Sequence, residues 1–162
     1  MSTSALDQAG TLACLFEMGG RVFAVEITQA REVRAVEHYT VVPLGLPHLI
    51  GMTSLRGAII PIVDLLHLLG LPTCAYTGQS LVVEALGVRV AIAVDRVLGV
   101  EALEEGADPV LVGGAMEFER GHLRRGDVMI PVIDVARVVE SLSRQQAPSS
   151  VEMPMGAGEG EG

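Results

Sequence analysis

Gly51-Met52-Thr53-Ser54-Leu55-Arg56-Gly57-Ala58-Ile59-Ile60-Pro61-Ile62-Val63-Asp64 has a counterpart later in the same chain. The counterpart is Leu123-Arg124-Arg125-Gly126-Asp127-Val128-Met129-Ile130-Pro131-Val132-Ile133-Asp134. Each reads Arg-Gly, a short apolar stretch, proline, two β-branched residues, then aspartate ahead of an apolar run. An earlier pair echoes the match, Glu17 to Ile27 against Glu84 to Val94. A small β-unit repeated twice places a junction, and with it a groove, inside the domain. Thr73 to Gln79 is the expected connection between the halves.

Leu12 to Glu17 reads as a strand, Met18-Gly19-Gly20-Arg21 as a hairpin turn, and Val22 to Ile27 as the return strand. Phe23, Val25 and Ile27 alternate onto one face, with Glu26 on the other. Ser80 to Glu84 and Val88 to Val94 repeat that hairpin. Ile59 to Val63 reads as a buried strand despite Pro61, which has no N–H to give a ladder and so predicts an edge or a bulge there. Asp64 and Asp134 fall where helix N-caps belong, the first before Leu65, Leu66, Leu68 and Leu69, the second before Val135, Val138, Val139 and Leu142 at helical spacing. Glu101 to Asp108 reads as an acidic loop, and Pro109 to Gly113, Ala115 to Glu119 and Gly121 to Arg124 as short strands. Residues 1–10 read as a flexible start and 145–162 as a disordered acidic tail, leaving one domain over 11–144. Many short strands with Gly and Pro turns give a mostly-β protein, and the duplication suggests two small barrels side by side.

The composition narrows the function. The chain has 162 residues, 49% apolar but only 3% aromatic, and a net charge of −9. Every basic residue is arginine. The tail contributes Glu152, Glu159 and Glu161, so the rest still carries −6 (−9 plus 3). Such a balance argues against a nucleic-acid footprint and against an anionic membrane surface. Proline and glycine interrupt the long uncharged runs, so no membrane span is expected. Cys14 and Cys74 lack Cys-x-x-Cys spacing and fit a reducing, cytoplasmic setting, although a disulfide between them stays open.

No catalytic or cofactor signature stands out. His38, His48, His67 and His122 are scattered, without metal-ligand spacing. Neither a P-loop nor a Gly-x-Ser-x-Gly elbow is present. Asp64 and Asp134 could be drawn together by the duplication as a hydrolase's acid pair. Helix capping explains both more simply. Arg56 follows an uncharged stretch of eighteen residues. It reads equally as a turn arginine, echoed by Arg125-Gly126, and as an interface anchor beside apolar surface.

The run Gly51 to Leu65 resembles the signature of the CheW family, the bacterial chemotaxis coupling proteins. Phe16-Glu17 to Val33 is similar to that family's first hairpin, Val94-Asp95-Arg96-Val97-Leu98-Gly99-Val100 to its second-half strand, and Ile130-Pro131-Val132-Ile133-Asp134 to its last strand and closing helix. The match covers about Leu12 to Leu142. It implies two SH3-like five-stranded barrels around a shared hydrophobic core, and an adaptor rather than an enzyme, with no cofactor. The implied partners are the cytoplasmic tip of chemoreceptors, the regulatory domain of a CheA-type histidine kinase, and other CheW-like domains in rings, at membrane-associated receptor arrays.

The resemblance assigns Arg56 to the receptor groove, with Gly57, Gly51 and Ile59 beside it. It assigns Glu32 to kinase contact, with Arg34 and Pro43 in the same region. Arg31 and Arg34 flank Glu32, which alters the charge expected at that face. A structural module that assembles or caps an array without coupling receptors is the competing reading.

Overall fold

A computed structural model describes residues 10–43, 46–105 and 115–144. The expectations for 1–9, for the end of the acidic loop at 106–108, for Pro109 to Gly113 and for the tail beyond 144 lie outside the described residues.

The first half supplies β1 (Thr11–Met18), β2 (Arg21–Glu26), β3 (Ala30–Ala35), β4 (Leu49–Leu55), β5 (Ala58–Val63) and the short helix α1 (Leu65–Leu68). The second supplies β6 (Gln79–Ala85), β7 (Val88–Ala93), β8 (Arg96–Glu105), β9 (Glu119–Arg125), β10 (Val128–Ile133) and helix α2 over 135–144. The strands form two five-stranded sheets, as the mostly-β reading expected.

The sheets do not follow the halves. One, in the order β1-β2-β10-β9-β8, closes into a barrel; the other runs β3-β6-β7-β5-β4. Each half therefore lends its first hairpin to the sheet built by the other. Thr73 to Gln79 is consequently not a boundary between barrels, because it joins α1 to β6 beside strands of the same sheet. The chain passes between sheets after β2, through the 3-10 turn Ile27–Gln29, and again between β7 and β8. Sequence similarity fixes which segments are equivalent, but long-range pairing decides which ones meet.

The exchange also accounts for the prolines. β5 lies between β7 and β4 in its sheet, so Pro61 is neither on an edge nor at the register shift, which falls between Leu49 and Gly51 on β4. The parallel pairing of β5 with β7 begins only at Ile62 with Ala91, past the proline. In the other sheet β10 meets β2 at Val132 with Ala24, one residue after Pro131. A residue without an N–H fits where the second ladder has not started.

Glu101 to Glu105 is strand, not loop. β8 pairs with β1 from Thr11–Leu103 to Glu17–Arg96, and with β9 at Glu104–Arg124 and Glu105–Leu123. Leu103 turns into the closed barrel while the glutamates around it are at the surface, the alternation of a half-buried strand. Ala115–Phe118 is a 3-10 turn leading into β9.

Three apolar clusters hold the fold. Leu15, Ala24, Leu123 and Ile130 fill the closed barrel; Leu55, Ile60, Ile62, Val82 and Ala91 fill the other. Phe16, Phe23, Val63, Leu81, Ile92 and Ile133 face a larger core between the sheets, joined by Leu65 and Val138 from the helices. The caps form as read: Asp64 Oδ1 accepts from the His67 backbone N–H at 3.4 Å, and Asp134 Oδ1 from that of Arg137 at 3.2 Å. The Val135, Val138, Val139 and Leu142 face of α2 is buried.

Candidate functional site

Leu55 pairs with Ala58, so Arg56 and Gly57 alone make the turn between β4 and β5. Their φ values are 51° and 82°, the left-handed pair of a type I′ hairpin. Asparagine, aspartate or glycine suits the first of these positions; an arginine there is sterically disfavoured. Arg56 points 62% of its side chain to solvent. Its Nη1 donates to Glu32 Oε2 on β3.

The duplication shows that this arginine is not a requirement of the turn. Val128 pairs with Arg125, so the second hairpin turns on Gly126-Asp127, with φ 62° at Gly126. Arg125 is the last residue of β9 and binds Glu101 at 2.9 Å. The two Arg-Gly pairs are thus out of register by one residue. Glycine stands where Arg56 would be, and the echo that favoured a purely structural arginine disappears.

Leu86 is a residue that the sequence reading missed. It heads the Leu86-Gly87 turn between β6 and β7, with φ 56° and 65% of its surface exposed. Among the described residues only Arg56 and Leu86 fill left-handed positions with anything but glycine. The equivalent turn between β1 and β2 uses Gly19-Gly20. Two residues between Ala85 and Val88, the second a glycine, were the available signal. β5 and β7 run parallel, Ile62 beside Ala91. Continued three residues back, that register sets Ile59 beside Val88 and brings both turns to one end of the barrel. Ile59 is 71% exposed there, and Val88 is exposed as well. Strained backbone and bare aliphatic side chains coincide at this end.

Glu32 and Arg56 also span an opening. β3 and β4 are the outer strands of the unclosed sheet. The segment after β3 returns to β4 at the His38 carbonyl, which accepts from Thr53 Oγ1 at 2.9 Å, and at the Thr40–Met52 bridge. Between that bridge and the Glu32–Arg56 pair lies a cleft of about 300 Å³ rimmed by Arg34, His38 and Thr53 and floored by Leu55, Ile60 and Val82. Arg34 Nε lies 3.6 Å from the Glu32 carboxylate, which is mostly buried. Glu32 pairs with Val82, so it sits on the face turned to this barrel's interior.

The next residue, Val33, takes the opposite face. It pairs with Leu81 of the shared core yet is half-exposed. Val100 does the same on β8, opposite Cys14, with exposed Leu12 beside it. Val33 and Val100 are equivalent positions of the two repeats. Each carries an apolar side chain from a strand over the shared core out to solvent.

The remaining expected residues separate. Gly57 and Ile59 lie with Arg56. Gly51 is buried, and a Cβ there would sit 2.6 Å from the Thr40 carbonyl oxygen and 2.7 Å from the Tyr39 ring, so it lets the segment after β3 cross β4. Pro43 is exposed on the far side of the Thr40–Met52 bridge, away from Arg56. Asp64 and Asp134 are occupied as caps. Among the described residues, no three His, Cys, Asp or Glu side chains gather as a metal set, and no helix is long and apolar enough to cross a membrane.

A sequence model of the CheW-like domain matches residues 13–143. The chain belongs to the CheW-like domain family. That family consists of non-catalytic scaffold and adaptor proteins. The chain is 28% identical to the chemotaxis protein CheW of Rhizobium meliloti over 149 residues, covering 88% of this chain and 96% of that protein. It is 30% identical to a probable chemotaxis protein CheW of Rhizobium etli over 84 residues, a match spanning 52% of this chain and only about half (54%) of its relative. The fold is similar to the crystal structure of the scaffolding protein TtCheW from Thermoanaerobacter tengcongensis, with a TM-score of 0.66 and 25% identity, covering 76% of this chain and 88% of that one. The CheW-like family thus accounts for the two sheets and the shared core.

Proposed function

We propose that this CheW-like chain is a coupling adaptor that joins the cytoplasmic tip of chemoreceptors to the regulatory domain of a CheA-type histidine kinase in a membrane-associated array. The observation that carries the reading is Arg56, held exposed in a left-handed turn position that the equivalent hairpin gives to glycine. Strain of that kind persists where the side chain is used.

The kinase side is Glu32 and Arg34 at the cleft, and the receptor side is Arg56, Gly57 and Ile59. The exposed Val33 suits contact with an apolar helix face, a common mode of peptide recognition. Glu32 and Val33 are consecutive on one strand but face opposite ways, so β3 alone can present an acidic contact to one partner and an apolar contact to another. Gly51 supports this face from within.

Titration calorimetry of the full chain against the kinase regulatory domain encoded with it tests the proposal. Binding that weakens at least tenfold on Glu32→Arg, while Val33→Asp spares it and abolishes receptor binding, is the expected pattern. A folded protein that binds neither partner at concentrations well above micromolar would leave the family fold with a purely structural role.

A further inference from the structure

We infer that the two halves of this chain pair in trans, so that two copies can exchange halves into a dimer containing two complete double barrels. The partner is a second copy of the chain, and the surface is the set of seams between halves.

Residues 10–72 and 79–144 meet along four strand pairings: β1 with β8, β2 with β10, β3 with β6, and β5 with β7. Neither half owns a sheet, since β1 and β2 need β8 and β10, while β6 and β7 need β3 and β5. The shared core likewise draws Phe16, Phe23 and Val63 from one half and Leu81, Ile92 and Ile133 from the other. The covalent link between these interlocked pieces is residues 73–78. Thr73, Cys74 and Ala75 within it are exposed. Its anchoring begins at Tyr76, whose hydroxyl meets Ser80 Oγ at 2.6 Å and whose ring meets Tyr39 edge-on at 5.5 Å.

Monomer and exchanged dimer therefore contain the same seams and differ only in the path of that link. A short flexible link gives the tethered halves an effective concentration of roughly millimolar, so the monomer prevails when the chain folds dilute. Folding at high concentration, or across a link too short to reach its own partner half, favours exchange. Both states keep every pairing, so conversion between them requires the seams to open. The inference is independent of the coupling role and stands or falls without receptor or kinase.

Its test uses full-length chains in reducing buffer. Ala24→Asp in β2 and Ala91→Asp in β7 occupy equivalent, fully buried positions, one in each barrel and one in each half. Each variant alone places an unpaired charge in a core and fails to fold. Co-refolded from urea in equal amounts, they can recover one wild-type double barrel per pair only by exchange. The expected result is soluble β-sheet protein of twice the monomer mass by light scattering, obtained from the mixture and from neither variant alone. Deleting Thr73 to Ala75 in the wild-type background should also raise the dimer fraction. If the mixture recovers nothing under conditions where the wild-type chain refolds, the inference is wrong, whatever the deletion variant does.

Discussion

Glu32 and Arg56 join the two outer strands of the unclosed barrel: the glutamate sits on β3, the arginine at the tip of β4, and their ion pair spans one end of the cleft between them. Each charge satisfies the other while the chain is free. A partner that takes the arginine uncovers the glutamate, and one that takes the glutamate frees the arginine. Under the coupling proposal, the two contacts are thermodynamically linked through this pair.

Substitution of Arg56 by glycine separates turn from function. Glycine relieves a left-handed position that disfavours a side chain, but the more flexible unfolded chain offsets part of that gain. The expected net change in folding stability is small, within about 1 kcal/mol, and of either sign. Receptor affinity should fall at least tenfold. Urea unfolding and calorimetry on one preparation measure both. A large loss of stability would return Arg56 to a structural role.

Leu86→Gly makes the matching prediction at the neighbouring turn. The same relief applies, and an exposed aliphatic side chain is removed from the end shared with Ile59 and Val88. The fold should be retained, while partner binding weakens severalfold. The reverse change at the equivalent turn of the closed barrel, Gly19→Leu, introduces strain at φ 59° and should cost about 1–2 kcal/mol. Paired unfolding curves would show the asymmetry between the hairpins; equal effects would contradict it.

Much of this architecture was readable from residue order. The hairpins at Leu12 to Ile27 and Ser80 to Val94, the helix caps and the apolar faces follow from alternation, glycine turns and capping chemistry. What was not readable depends on distant partners. β10 reaches β2 through a single parallel pairing at Val132, and nothing in Ile130-Pro131-Val132 says whether its neighbour will be β2 or β7. Glu101 to Asp108 reads as loop because its charges are dense; in the described part, Glu101 to Glu105, Leu103 instead turns into the closed barrel as strand. Arg56 and Arg125 looked equivalent because both precede glycine. Only strand register shows that one lies in the turn and the other in the strand.

Gly51→Ala should be costly for a reason unrelated to left-handed backbone. The added methyl would lie 2.6 Å from the Thr40 carbonyl oxygen, so the segment leaving β3 must move off β4. Overpacking of this kind costs about 1–3 kcal/mol. The Thr40–Met52 bridge would loosen, widening the cleft beside Glu32. A lower urea midpoint, with faster amide exchange at Thr40 and Met52, is the expected signature.

Acid should weaken the fold through His48. This side chain is buried, its Nε2 has no hydrogen-bond partner, and burial together with nearby His67 holds its pKa below the usual 6.5. Above pH 6.5 the histidine is neutral in both states and costs nothing. As the pH falls below 6.5, the unfolded chain takes up a proton that the folded chain refuses, and stability drops until the depressed pKa is reached.

Glu119 acts in the opposite sense. Burial raises its pKa above 4.5 despite His122 at 3.3 Å, so it favours the folded state most below that value and loses this contribution as the pH rises. Urea midpoints between pH 7.5 and 5 should therefore fall for the wild-type chain if His48 dominates. They should rise on acidification in His48→Gln, where the Glu119 contribution is unopposed, and fall more steeply in Glu119→Gln. A wild-type profile that rises on acidification would show that Glu119 outweighs the histidine.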